Sequence, residues 1–174
     1  MPKIIENVRE QLLAEAKKQI TERGYAATTV RSVANACGIA VGTVYNYFKS
    51  KDLLIASFVA EDWIKCVDEI SACPTEPSKA FLHRIYGLLR DFSEKNASLF
   101  GDPDAAKVYY TVFSSRHKQL RDQLADLILP VCGAEEESER RFLSQFTAES
   151  VLTWTSAGVP FEKLYKPLEK LLKK

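Results

Sequence analysis

An all-α chain, with a short helix-turn-helix head followed by a longer helical body, is what this sequence predicts, and three observations predict it. Apolar residues recur at three- and four-residue intervals through most of the 174 residues, the spacing of one buried helical face. No segment shows the alternation and hairpin turns of paired strands. Two short helical patterns meet at Cys37-Gly38-Ile39, inside a window from Glu22 to Asp52 that contains no carboxylate, in a chain that carries 23 of them.

The elements follow in order. Ile5, Val8, Leu12, Ala16 and Ile20 set a first helix over about residues 3–23, and Gly24 follows where a left-handed cap is wanted. Thr28 or Thr29 can cap a second helix running to Cys37, with Val30, Val33, Ala34 and Cys37 as its inner face. Gly38 makes the turn into a third helix over about residues 40–47 that buries Val44. Ser50 is a suitable N-cap for a long fourth helix from Lys51 to about Cys73, stopped by Pro74 and Pro77. A fifth helix is expected from about Ser78 to Lys95, then a break at residues 96–103 and a long stretch from Asp104 to about Leu129. The acidic run Glu135–Glu139 suits the start of the next helix, since a helix N-terminus favours negative charge. That helix ends near Ala157. Phe161, Leu164, Leu168, Leu171 and Leu172 form a last amphipathic piece, in which Pro167 predicts a kink or a restart.

Bulk numbers bound the function less tightly than their distribution does. The net charge is only +1. Residues 1–51 nevertheless carry eight Lys/Arg against four Asp/Glu, and residues 52–174 carry sixteen against nineteen. A basic head sits on a mildly acidic body, which points to a polyanionic partner for the head alone. No stretch approaches the ~18 apolar residues of a membrane span, and the start has no apolar leader, so a cytoplasmic, bacterial-type protein with no membrane partner is expected. Four widely spaced cysteines fit neither a disulfide framework nor a zinc site. His83 and His117 have no acidic or cysteine partner at ligand spacing, and no metal or cofactor is expected.

The acid-free window holds Arg23, Arg31, Lys49 and Lys51, three tyrosines and a run of small hydroxyl residues. Such a surface suits phosphates, which carboxylates would repel. Its ordered positions, Gly24-Tyr25, Thr28-Thr29-Val30-Arg31, Val33-Ala34, Cys37-Gly38-Ile39, Gly42-Thr43-Val44-Tyr45, Tyr47-Phe48, Ser50-Lys51 and Leu53-Leu54, resemble the N-terminal domain of the tetracycline-repressor (TetR) family of transcriptional regulators. The resemblance covers about the first third of the chain. It implies a DNA-binding domain over residues 1–50 and a helical effector-binding and dimerisation domain over residues 51–174.

By that resemblance Val41, Gly42, Thr43, Tyr45, Asn46 and Tyr47 belong to the recognition helix. Gly42 lets the backbone approach the groove, and Thr43, Tyr45 and Tyr47 offer hydroxyls to phosphates. Asn46 is the candidate for a base-edge contact, because an amide can pair with adenine N6 and N7, whereas Val41 offers only apolar contact. Thr29, Arg31 and Lys51 are expected on the phosphate backbone. Tyr45 packed in the core, and Thr28 or Thr29 serving only as a cap, are the plainer alternatives. The expected partner is a palindromic double-stranded operator, held by a homodimer whose interface comes from the last two helices. There Leu143, Phe146, Ser150 and Trp154 form one stripe, and Leu164, Leu168, Leu171 and Leu172 a second.

The body is rich in aromatic residues. Trp63, Phe92, Phe113 and Trp154 are candidate apolar walls for a small, mostly apolar effector, with Tyr86, Tyr109, Tyr110 and His117 as polar handles. Plain core packing is the competing reading for each. A regulator without an effector stands as the alternative to an effector-released repressor. An enzyme is the remote one, since the chain has no Gly-rich phosphate loop, nucleophile elbow or His-Glu-x-x-His motif.

Overall fold

The computed structural model describes residues 7–172, and the side chains of all of these except 106–117. Every regular element among the described residues is helical. The chain forms two compact units. One comprises the segment ending at Asp62 together with Asn96–Phe113, and the other Trp63–Lys95 with the segment from Ser114 onward. The division between these units falls inside the fourth helix, after Asp62.

In the first unit α1 spans Val8–Ala27 and buries Leu12, Leu13, Ala16 and Ile20, as the periodicity requires. The expected start at residue 3 lies outside the described residues. Gly24 breaks α1 internally with φ 80° and ψ 172°, a conformation that an L side chain resists. α2 spans Val30–Cys37 and α3 Val41–Tyr47. Thr29 caps α2, accepting from the Ser32 N–H, while Gly38 closes it with φ 66°. α4 runs from Lys51 to Ser71, and Ser50 Oγ accepts from the Leu53 N–H at 3.1 Å in the expected N-cap role. Leu12, Val33, Val44, Phe48, Leu54 and Phe58 fill this core. The break after Lys95 contains a short helix, α6 (Ala97–Phe100), before α7 (Pro103–Ile128).

In the second unit α5 (Ser78–Lys95), α8 (Glu137–Ser156) and α9 (Phe161–Leu172) enclose a core with Trp63, Phe81, Ile85, Leu89, Leu124, Ile128 and Val151. Pro167 does not restart α9, which continues through it. Its ring lies on the exposed face, where the carbonyl it leaves unpaired can be hydrated, and Leu164, Tyr165 and Leu168 pin the opposite face. Leu164 and Leu168 thus cover the unit's own core, which removes them from the expected dimer stripe. Leu171 stays 44% exposed. Cys66 and Cys132 are buried, and burial pushes both thiols up to about 11, so they act as small apolar side chains. No described helix is long and apolar enough to cross a membrane.

Candidate nucleic-acid interface

The two short helices present their polar ends on one side of the first unit. α3 buries only Val44 and leaves Tyr45 at 45% and Tyr47 at 48% exposed, with Asn46 exposed between them. Tyr45 is therefore not a core residue. Gly42 is exposed as well, and a Cβ built on it would meet nothing within 4 Å. No contact among the described residues demands a glycine there. Val41 and Thr43 are half-buried beside it.

An open groove runs beside α3, lined by Thr29, Val30 and Arg31 from the start of α2, Val41 and Tyr45 from α3, and Lys49, Ser50 and Lys51 from the start of α4. Three cations and two helix N-termini converge on it, an arrangement that attracts an anion strongly. Arg31 and Lys49 are exposed. Lys49 stands in the acid-free window, but its place in the sequence does not single it out as a contact. Thr29 is both the cap of α2 and a wall of the groove.

Lys51 is more constrained than its position suggests. Its ammonium lies 3.6 Å from the centroid of the Tyr25 ring and donates to the Tyr25 carbonyl at 2.9 Å. Burial lowers its pKa, while Asp52, Asp102 and Asp104 oppose that shift. Tyr25 is the hub of this corner. Its hydroxyl donates to Asp52 Oδ1 at 2.5 Å, and its N–H donates to Asp102 Oδ2 at 3.2 Å. Burial, with the Asp52 carboxylate adding to it, holds that hydroxyl protonated far above the ordinary tyrosine range. Asp102 accepts from the Asp104 and Ala105 N–H groups too, so one carboxylate caps α7 and ties it to the end of α1. Seventy-seven residues separate Tyr25 from Asp102, and no local pattern announces the pair.

The expected effector residues scatter. Trp63 is buried, its indole N–H donating to Gln123 Oε1 at 3.0 Å and its ring meeting Phe92 edge-on at 5.5 Å. The Tyr86 hydroxyl donates to the Val159 carbonyl at 3.0 Å. The indole N–H of the expected wall Trp63 and the hydroxyl of the expected handle Tyr86 are thus both used within the unit. Trp154 is corrected: it is 50% exposed, on the face of α8 that also leaves Phe142 and Phe146 uncovered, and is no interior wall of this chain. The side chains of Tyr109, Tyr110, Phe113 and His117 lie outside the described residues.

Residues 12–58, α1 through the first turns of α4, match the family model described as bacterial regulatory proteins, tetR family. The head thus matches the DNA-binding domain by which that family is recognised. It is 38% identical over 58 residues to the HTH-type transcriptional repressor KstR2 of Mycolicibacterium smegmatis, which covers 32% of this chain and 28% of that one. A longer match, 25% identical over 118 residues, joins it to the fatty acid metabolism regulator protein of Bacillus subtilis, covering 68% of this chain and 59% of that one. The chain thus spans only part of the length of these relatives. The likeness in fold to solved regulators extends over nearly the whole chain. The repressor AlkX from a Dietzia strain, implicated in n-alkane biodegradation, superimposes with a TM-score of 0.64 at 19% identity, covering 94% of this chain and 98% of that one. The fatty acid degradation regulator FadR of Bacillus halodurans does so at 0.60 and 22%, covering 98% and 96%.

Proposed function

We propose that the chain is a homodimeric, sequence-specific DNA-binding regulator, a repressor released from a palindromic operator by a small, mostly apolar effector. The observation that carries the DNA reading is the exposed face of α3 beside a groove holding Arg31, Lys49 and Lys51. Tyr45, Tyr47 and the groove cations take the phosphates, Asn46 reads a base edge, and Gly42 admits the backbone.

The dimer reading rests on α8. Phe142, Phe146 and Trp154 are 64%, 45% and 50% exposed and recur at helical spacing, a face too apolar to be left to water. A second copy packed on it across a two-fold axis places two heads on half-sites about one helical turn apart.

The effector reading is supported by two features of the second unit and by the relatives. Thr147 and Thr155 bury their hydroxyls on the inner face of α8 with no hydrogen-bond partner among the described residues, and such orphans are satisfied by something. α4 is a single helix from the groove residue Lys51 to Ser71 and carries Trp63. Relatives named for fatty-acid and alkane metabolism favour an acyl-like effector. Selection of bound sites from a random duplex pool tests the first part. A palindromic consensus supports it, and the absence of any enriched site removes it. Release of that duplex by long-chain acyl compounds tests the second.

A further inference from the structure

We propose that Gln19 is a positioning residue for phosphate binding, holding the start of α2 in register through Ser32. The proposal rests on the DNA-binding reading above.

Gln19 is 2% exposed on the inner side of α1, beside Ile20 and one turn from Ala16. An apolar side chain would satisfy that site, whereas a buried carboxamide costs stability unless its polar atoms are paired. Here they are. Ser32 Oγ donates to Gln19 Oε1 at 2.6 Å. Gln19 Nε2 donates to the Ser32 carbonyl at 3.2 Å and to Glu15 Oε1 at 2.8 Å. Two of the three bonds fall on one residue, one on its side chain and one on its main chain. A planar amide gripping both fixes the roll of α2 and its axial position against α1.

Ser32 is also half of the capping box. Its N–H donates to Thr29 Oγ1 at 3.0 Å, and its Oγ accepts from the Thr29 N–H at 3.0 Å. A continuous hydrogen-bonded path therefore runs from Glu15 through Gln19 and Ser32 to Thr29, from the packed face of α1 to the groove. The proton count separates the cap from the clamp. Ser32 Oγ has one proton, given to Gln19 at 2.6 Å, with the Thr29 carbonyl the alternative acceptor at 2.9 Å. Without Gln19 the hydroxyl turns to that carbonyl. The cap survives, but α2 loses its two-point hold.

Thr29 and Arg31 ride on that first turn. Phosphates sit at fixed positions on a duplex, and a constellation displaced by more than ~0.5 Å loses its fit. The clamp thus acts on DNA affinity through placement, without touching DNA and without reading sequence.

The test uses the full chain and the duplex that the wild-type chain selects from a random pool. Gln19→Leu, Ser32→Ala and the double variant are compared for melting temperature, affinity and the slope of log affinity against log salt. The expected result is cooperative melting with wild-type helicity and an unchanged base preference. Affinity falls by about tenfold at ~0.1 M salt for each phosphate that a head no longer reaches, and the slope flattens by about one per head. The double variant is expected to bind no worse than the weaker single one, since Gln19 acts through Ser32. Ser32→Ala reaches the clamp from α2 and serves alone if Gln19→Leu does not fold. Variants that melt earlier but keep wild-type affinity and slope would overturn the proposal, leaving Gln19 a stability residue. A wild-type chain that bound no duplex at low salt would overturn the DNA-binding reading itself.

Discussion

Lys51 lies over the ring of Tyr25 and donates to the same residue's carbonyl at 2.9 Å, so the end of α1 and the start of α4 are joined at one point. Tyr25 passes that connection to Asp52 through its hydroxyl and to Asp102 through its N–H. Tyr25→Phe keeps the ring beneath Lys51 and removes only the donor to Asp52. A hydrogen bond to a carboxylate contributes about 1.5–3 kcal/mol. The variant is expected to unfold that much more easily in urea and to retain its duplex affinity. Lys51→Ala should lower both, because it removes the cation from ring and groove together.

Gly42 separates folding from binding. In a helix interior Ala is favoured over Gly by about 0.5–1 kcal/mol, and a Cβ here meets nothing within 4 Å. Gly42→Ala is therefore expected to leave stability equal or raised while weakening duplex binding. Parallel thermal melts and titrations check the opposed signs. A variant that binds as tightly as wild type would mean that α3 does not approach a partner closely at that point.

Arg31 and Asn46 should fail differently. Arg31→Ala is expected to weaken binding to all duplexes alike and to lower the salt slope by about one per head. Asn46→Ala is expected to change which base is preferred at one position of each half-site, with discrimination reduced by about 1–3 kcal/mol. Repeating the site selection with each variant distinguishes loss of affinity from loss of preference.

Asp102 gives the head a pH-dependent tie. The Ala105 N–H bonded to its carboxylate, followed by the Asp104 and Tyr25 N–H groups and the Lys51 charge, lowers its pKa below the ordinary carboxylate value. A depressed folded pKa contributes stability above the unfolded value of about 3.9, and that contribution is lost as pH falls through the folded value. Asp102→Asn is thus expected to be less stable than wild type at neutral pH, the difference closing below about pH 4. Denaturant midpoints across that range measure it.

The exposed face of α8 makes a prediction about assembly. Phe146→Lys combined with Trp154→Glu places charges where Phe142, Phe146 and Trp154 now face solvent. Helicity is expected to persist, since neither side chain is buried in the unit's core. Light scattering is expected to show dimers for the wild-type chain and monomers for the variant, with a large loss of duplex affinity because two heads no longer bind as one.

The sequence by itself determined the helices, their punctuation and the DNA-facing candidates, because those signals are local. Apolar spacing marks a buried face, Thr29, Ser50 and Gly38 mark ends, and an acid-free window marks a candidate surface for phosphate. Contacts between residues far apart in the chain were left to the tertiary structure. Asp102 reaches Tyr25, Gln19 grips Ser32, and Lys51 is half withdrawn from the groove onto an aromatic ring, although nothing near any of these residues requires it. The same reason explains the reassignments in the body. Periodicity shows that Leu164, Leu168 and Trp154 each lie on some face of a helix, but only packing decides what covers that face. Leu164 and Leu168 turn inward onto their own core, and Trp154 turns out to water.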